Sequence, residues 1–228
     1  YTKIMNHQIR KCTNRRAVVM ATIAVLIAAA FTLLIKIHDV QPIGPKGSEV
    51  GFAKINQAVA SMFPFNSMWY KMTNLALALP ILVALGYAIY GVIQLIQRKK
   101  LSKVDRELWL LAGFYLAVLL AYAVFEKLAL NFRPIMLDGE LEASFPSTHT
   151  LLATCLCGSG IIINQLLVKN PTHRSLLNLI FILLAILVVL GRVLSGVHWV
   201  TDIIGGLLIS AALLAIFKTV LFLSRQTK

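Results

Sequence analysis

Six long apolar runs constrain this chain more than any motif it carries. They span residues 17–37, 75–96, 108–130, 150–168, 176–193 and 200–223. A helix of about 20 apolar residues crosses the ~30 Å hydrocarbon layer of a bilayer, so each run is long enough to span. The chain is 58% hydrophobic and only 14% charged, and its apolar residues come in these blocks rather than scattered. The expectation is an all-α integral membrane protein. It would be a six-transmembrane-helix bundle forming one membrane-embedded domain over residues 1–228. The first run is too long for the core of a signal peptide and reads as a retained helix.

The net charge of +13 would point to nucleic acid in a soluble domain. Here the cations follow the spans instead. Arg15 and Arg16 precede the first run within a basic head, and Arg98, Lys99, Lys100, Lys103 and Arg106 follow the second. Lys169 and Arg174 follow the fourth, while the opposite loops are acidic or mixed. The positive-inside rule then puts both termini in the cytoplasm and leaves nucleic acid out as a partner. Residues 38–51 read as a loop. Phe52, Ile55, Val59 and Met62 recur at helical spacing around Lys54, Asn56 and Gln57. That pattern predicts one interfacial amphipathic helix, with Phe63, Phe65, Trp69 and Tyr70 as an aromatic belt beside it; an ordinary packed extracellular helix is the alternative. Cys12, Cys155 and Cys157 read as small apolar residues, with no disulfide and no metal site.

The polar turn Ser144-Phe145-Pro146-Ser147-Thr148-His149 opens directly onto the fourth run. A helix entered there presents free N–H groups and the positive end of its dipole, which suits an anion. His149 can exchange a proton near neutral pH. This topology gathers Arg133, His149, Arg192, His198 and Asp202 at one outer membrane edge, and ionisable groups at such depth are costly enough to imply function. His198 and Asp202 are four apart, so they share a helical face. The carboxylate can hold the ring and leave one nitrogen free to attack. Arg133 and Arg192 can clamp phosphate oxygens, with the amides of Ser147, Thr148 and His149 completing the cradle. His149 is placed to protonate a leaving oxygen. Together these residues point to phosphoryl transfer through a phosphohistidine without a metal or other cofactor. Trp199 reads as belt or packing, and Asp138, Glu140 and Glu142 as a solvated loop.

These blocks also resemble the type-2 phosphatidic acid phosphatase superfamily of membrane lipid phosphatases, related to vanadium haloperoxidases. Its pattern is Lys, six residues, Arg-Pro; then Pro-Ser-Gly-His; then Ser-Arg, five residues, His, three residues, Asp. Arg133-Pro134 matches the first block's end, and Pro146-Ser147-Thr148-His149 the second, with Thr for Gly. Arg192, His198 and Asp202 match the third at the right spacing, with Gly191 in place of Ser. The motif region is 126–202. The resemblance implies His198 as nucleophile, Asp202 as its orienting partner and His149 as acid. Arg133, Arg192, Ser147 and Thr148 would bind phosphate. Glu126 occupies the family's lysine position, and Lys127 would reach the phosphate only if the helix end is distorted. The expected activity is hydrolysis of a lipid phosphate or diphosphate at the extracytoplasmic face of the plasma membrane, with no obligatory protein partner. Undecaprenyl diphosphate is the favoured substrate, and phosphatidate or phosphatidylglycerol phosphate the alternatives. A lipid phosphotransferase and a non-catalytic lipid-binding or transport protein are the readings from other classes.

Overall fold

The structure, a computed structural model, describes residues 2–226, with side chains from residue 14 onward. The predicted basic head at Lys3, Arg10 and Lys11, and Cys12 with it, falls outside the described side chains. Seven α-helices occur among the described residues: α1 (Thr2–Ile37), α2 (Ala53–Met62), α3 (Ser67–Arg98), α4 (Arg106–Leu128), α5 (Thr148–Leu167), α6 (Pro171–Leu194) and α7 (Val200–Gln226). All but α2 contain a span long and apolar enough to cross a membrane, that of α1 being Asn14–Ile37. Leu75, Leu79, Leu82, Leu116, Leu119 and Leu183 are among many large apolar side chains left exposed on these helices. In water such a surface would drive aggregation; in a bilayer it is the solvated face. The all-helical, six-span expectation holds, and the protein is a multi-pass membrane protein.

Helix boundaries move where polar caps override hydropathy. α3 starts at Ser67, eight residues before the predicted span. The Asn66 side chain accepts hydrogen bonds from the N–H groups of Met68 and Trp69, at 3.1 and 3.2 Å, and so satisfies orphan donors of the first turn. Trp69 and Tyr70 therefore belong to α3 itself. Asn170 caps α6 in the same way, with Pro171 at the first helical position.

α5 is the centre of the bundle, packed by α3, α4, α6 and α7. More than half of its apolar window is buried (56%), against 17% for α1 and α3. It is also the least hydropathic span. The two facts share a cause, because a helix that faces protein needs small residues for close approach rather than lipid-soluble ones. Gly158 lies against Leu214 and Gly160 against the Phe181 ring, leaving no room for a Cβ at either. α1 packs along α7 on the other side.

α2 docks on the start of α7 through a polar side chain. The fully buried Asn56 amide donates to Gly51 O (2.8 Å) and Thr201 Oγ1 (2.9 Å), and its oxygen accepts the Thr201 N–H (3.2 Å). Ile55 and Met62 point outward and stay exposed. Asp39 receives the Lys54 N–H at 2.8 Å, and this bond holds its carboxyl below the usual carboxylate range. The loop between α4 and α5 is a small hairpin. Phe132 pairs with Ala143, and Leu137 with Glu140 across Asp138-Gly139, both at positive φ, as a tight two-residue turn requires. Phe145 anchors this loop in the core, 2% exposed, against Phe31, Phe125 and the bare backbone of Gly205. Gly205→Val would drive a methyl into the Phe145 ring, an overpacking that costs about 1–3 kcal/mol. It is expected to lower the thermal unfolding midpoint in detergent, and an unchanged midpoint would contradict this packing.

Candidate active site

The site is assembled where the α4–α5 hairpin, the start of α5, the end of α6 and the start of α7 meet. Asp202 holds these segments together. It lies at the third position of α7 and reaches back so that Oδ2 accepts the Trp199 N–H at 3.0 Å, the return half of a capping box. Its Oδ1 accepts from Asn131 Nδ2 at 3.4 Å, and its backbone carbonyl accepts the Ser147 N–H at 2.9 Å. The Trp199 indole N–H donates to Phe132 O at 2.7 Å, so Trp199 is a buried tie to the Arg133 segment. Asn131 was silent in the sequence, where only its closeness to Arg133 could have marked it.

His198 Nδ1 lies 3.5 Å from Asp202 Oδ2, too far and too poorly aligned to count as a hydrogen bond. The His198 side chain is 2% exposed. Burial first, then the charges of Arg133 and Arg192, push its pKa well below the ordinary imidazole value, with the Ser144 backbone opposing. A neutral imidazole with Nδ1 toward the carboxylate leaves Nε2 as a lone-pair donor. His149, half-buried on the first turn of α5, lies within electrostatic reach of Arg192, His198 and Arg133.

Arg192 is wholly buried, the largest side chain so enclosed. Nη2 donates to Asn74 Oδ1 at 2.9 Å, and the guanidinium sits 5.2 Å over the Tyr70 ring. Both partners come from α3, and nothing in the sequence announced them. No carboxylate pairs with Arg192 among the described residues, and its Nε and Nη1 have no hydrogen-bond partner. Gly191, where the family pattern has Ser, is also explained by α3. A Cβ there would collide with the Thr73 methyl and crowd the Trp69 ring.

Arg133 approaches from the hairpin. Its Nε is 2.9 Å from Glu142 Oε2 but not aligned as a hydrogen bond, and its buried Nη1 has no partner. Glu142 is therefore half of an ion pair and not a free solvated acid. Ser144 Oγ, near the Asp202 carboxylate but not directed at it, is also unpartnered. Most of the buried, unpartnered side-chain nitrogens and oxygens among the described residues belong to Arg133, Ser144, Arg192 and His198. Buried donors normally find partners, and each unmet one is costly. Arg133 Nη1 and Arg192 Nε and Nη1 are thus left with unmet N–H groups.

Two sequence expectations change. The Ser147 amide is consumed by the Asp202 carbonyl, so it cannot join a phosphate cradle. The free N–H groups of the α5 first turn are instead those of Thr148, His149 and Thr150. The Ser147 hydroxyl, fully buried, accepts from Thr150 Oγ1 at 3.1 Å and keeps its own proton to donate. Lys127 stands exposed in the last turn of α4, without a hydrogen bond or ion pair among the described residues. The helix end is not distorted toward the site, because α4 closes regularly with the Ala129 N–H on Phe125 O. Among the described residues no group of three or more His, Cys, Asp or Glu is placed to hold a metal ion.

Fold and site thus define a polytopic membrane protein with a buried histidine–aspartate pair flanked by two arginines. The model of the PAP2 superfamily matches residues 111–226. The chain belongs to the PAP2 superfamily. It is 33% identical over 97 residues to phosphatidylglycerophosphatase B of Bacillus subtilis, covering 41% of this chain and 45% of that protein. It is 33% identical over 85 residues to lipid phosphate phosphatase delta of Arabidopsis thaliana, covering 36% of this chain and 20% of that one. The chain thus spans less than half the length of either relative. The crystal structure of a transmembrane PAP2-type phosphatidylglycerolphosphate phosphatase from Bacillus subtilis shares the fold, with a TM-score of 0.64. Identity to it is 20%, over 92% of this chain and 98% of that one.

Asn74→Ala removes the one side-chain hydrogen-bond acceptor seen on Arg192 and is expected to weaken binding of orthovanadate, a phosphate mimic, by roughly tenfold. Lys127→Ala is expected to leave it unchanged. Calorimetric titration of both variants checks the pair, and the reverse order would contradict the placement of Arg192.

Proposed function

We propose that this protein is a membrane lipid phosphatase working through a phosphohistidine. The observation that carries the reading is the pair of guanidiniums, with unmet donors, beside the buried His198–Asp202 pair. Arg133, Arg192, the Ser147 hydroxyl and the first-turn amides of α5 hold the phosphate oxygens. His198 Nε2 attacks phosphorus and forms the N–P bond as the lipid oxygen departs with a proton from His149. Asp202 stabilises the developing positive charge on the ring through Nδ1–H. Water, deprotonated by His149, then breaks the N–P bond and releases inorganic phosphate. The 3.5 Å separation of His198 and Asp202 tightens as that charge forms, since such contacts are often long before substrate binds.

The proposed substrate is a glycerophospholipid phosphomonoester of the phosphatidylglycerophosphate type. The similarity to phosphatidylglycerophosphatase B supports this choice over undecaprenyl diphosphate. The distribution of Arg and Lys among the loops supports a plasma-membrane orientation with the site on the extracytoplasmic side.

Phosphate release from phosphatidylglycerophosphate, phosphatidate and undecaprenyl diphosphate by purified protein, with chelator present, tests the reading. His198→Ala and His149→Ala are each expected to lower the rate by two or more orders of magnitude. Persistent release from His198→Ala would sink the nucleophile assignment, and equal rates on all three lipids would sink the substrate choice.

The depressed His198 pKa has a defined consequence. Its neutral, nucleophilic form survives as pH falls through 6.5. The acidic limb of kcat/KM, which reports the free enzyme, is therefore expected below pH 6.5. A limb at or above that value would show that the ring is not held neutral.

A further inference from the structure

At the end of the bundle opposite the site, α1 and α5 both pack on α7 but not on one another. A groove of about 860 Å³ remains between them over α7, walled by Met20, Ile161, Ile162, Leu166 and Phe222. Three cations edge it, Arg16 on α1 and Lys218 and Arg225 on α7, and no acidic residue among the described residues lines it. Arg225 is shared with Glu107 of α4 at 3.7 Å. Arg16 and Lys218 are exposed and make no ion pair among the described residues. Lys218 lies inside an apolar run, where an uncompensated ammonium is costly. The two helices are fixed against each other at this level. Asn14 Nδ2 donates to Gln226 Oε1 at 2.9 Å, and Thr219 Oγ1 to Ala17 O at 3.3 Å. The cations therefore stand on a braced frame.

We propose that this groove is a binding site for an anionic phospholipid of the leaflet opposite the catalytic pocket. One acyl chain lies along the apolar walls, and the phosphate sits between Arg16 and Lys218. Charge selects the occupant: basic pockets between transmembrane helices favour anionic headgroups, and a zwitterionic lipid would gain less from two cations with no carboxylate between them.

Native mass spectrometry of the full chain, titrated with phosphatidylglycerol or phosphatidylcholine, tests this site. Wild type is expected to hold phosphatidylglycerol on the order of tenfold more tightly than phosphatidylcholine. Arg16→Gln and Lys218→Gln, each on an exposed side chain, are expected to abolish most of that preference without lowering the unfolding midpoint of the lipid-free protein. Arg192→Gln, which disables the phosphate clamp, is expected to keep it. No preference in wild type, or a preference kept by both groove variants, would overturn the site. A preference lost only in Arg192→Gln would assign the lipid to the catalytic pocket and overturn it equally.

Discussion

Asp202 is the joint on which this molecule depends. Its carboxylate receives the Trp199 N–H and the Asn131 amide, and its carbonyl receives the Ser147 N–H. One residue thereby fixes the hairpin, the start of α5 and the start of α7 relative to one another. It also faces His198. A carboxylate buried this deeply is tolerated because several donors meet it. The same contacts that stabilise its burial also set where it stands relative to the imidazole.

Around that joint, charge is deliberately unbalanced. Arg192 is enclosed with an amide oxygen and an aromatic face but no carboxylate, and Arg133 has only a misaligned pair with Glu142. Buried cations in folded proteins are normally neutralised. Arg192, buried with no carboxylate beside it among the described residues, departs from that pattern. Burial, and then the charges of Arg133 and Arg192, push the pKa of His198 down.

The bundle supplies the packed walls of this arrangement. α5, least hydropathic and most buried, carries His149 at its first turn and is gripped by four other helices. α3 was legible only as a span, yet its first two turns supply Tyr70, Thr73 and Asn74, which shape the pocket around Gly191 and Arg192. Such partners are ordinary polar or aromatic residues at a helix start. A single sequence cannot separate them from caps and belt residues, because their meaning comes from what α6 places opposite them.

The amino-acid sequence by itself determined the six spans, because crossing a hydrocarbon layer demands length and hydropathy that are local properties. It also determined the gathering of Arg133, His149, Arg192, His198 and Asp202 at one edge, since alternating spans dictate which loops share a side. The tertiary structure decided what those residues can do. Whether the Ser147 amide is free, whether Lys127 reaches inward, and which atoms of Arg192 remain unmet depend on hydrogen bonds between segments far apart in sequence. Those bonds have no local signature, and they set which donors of the site are left without a partner.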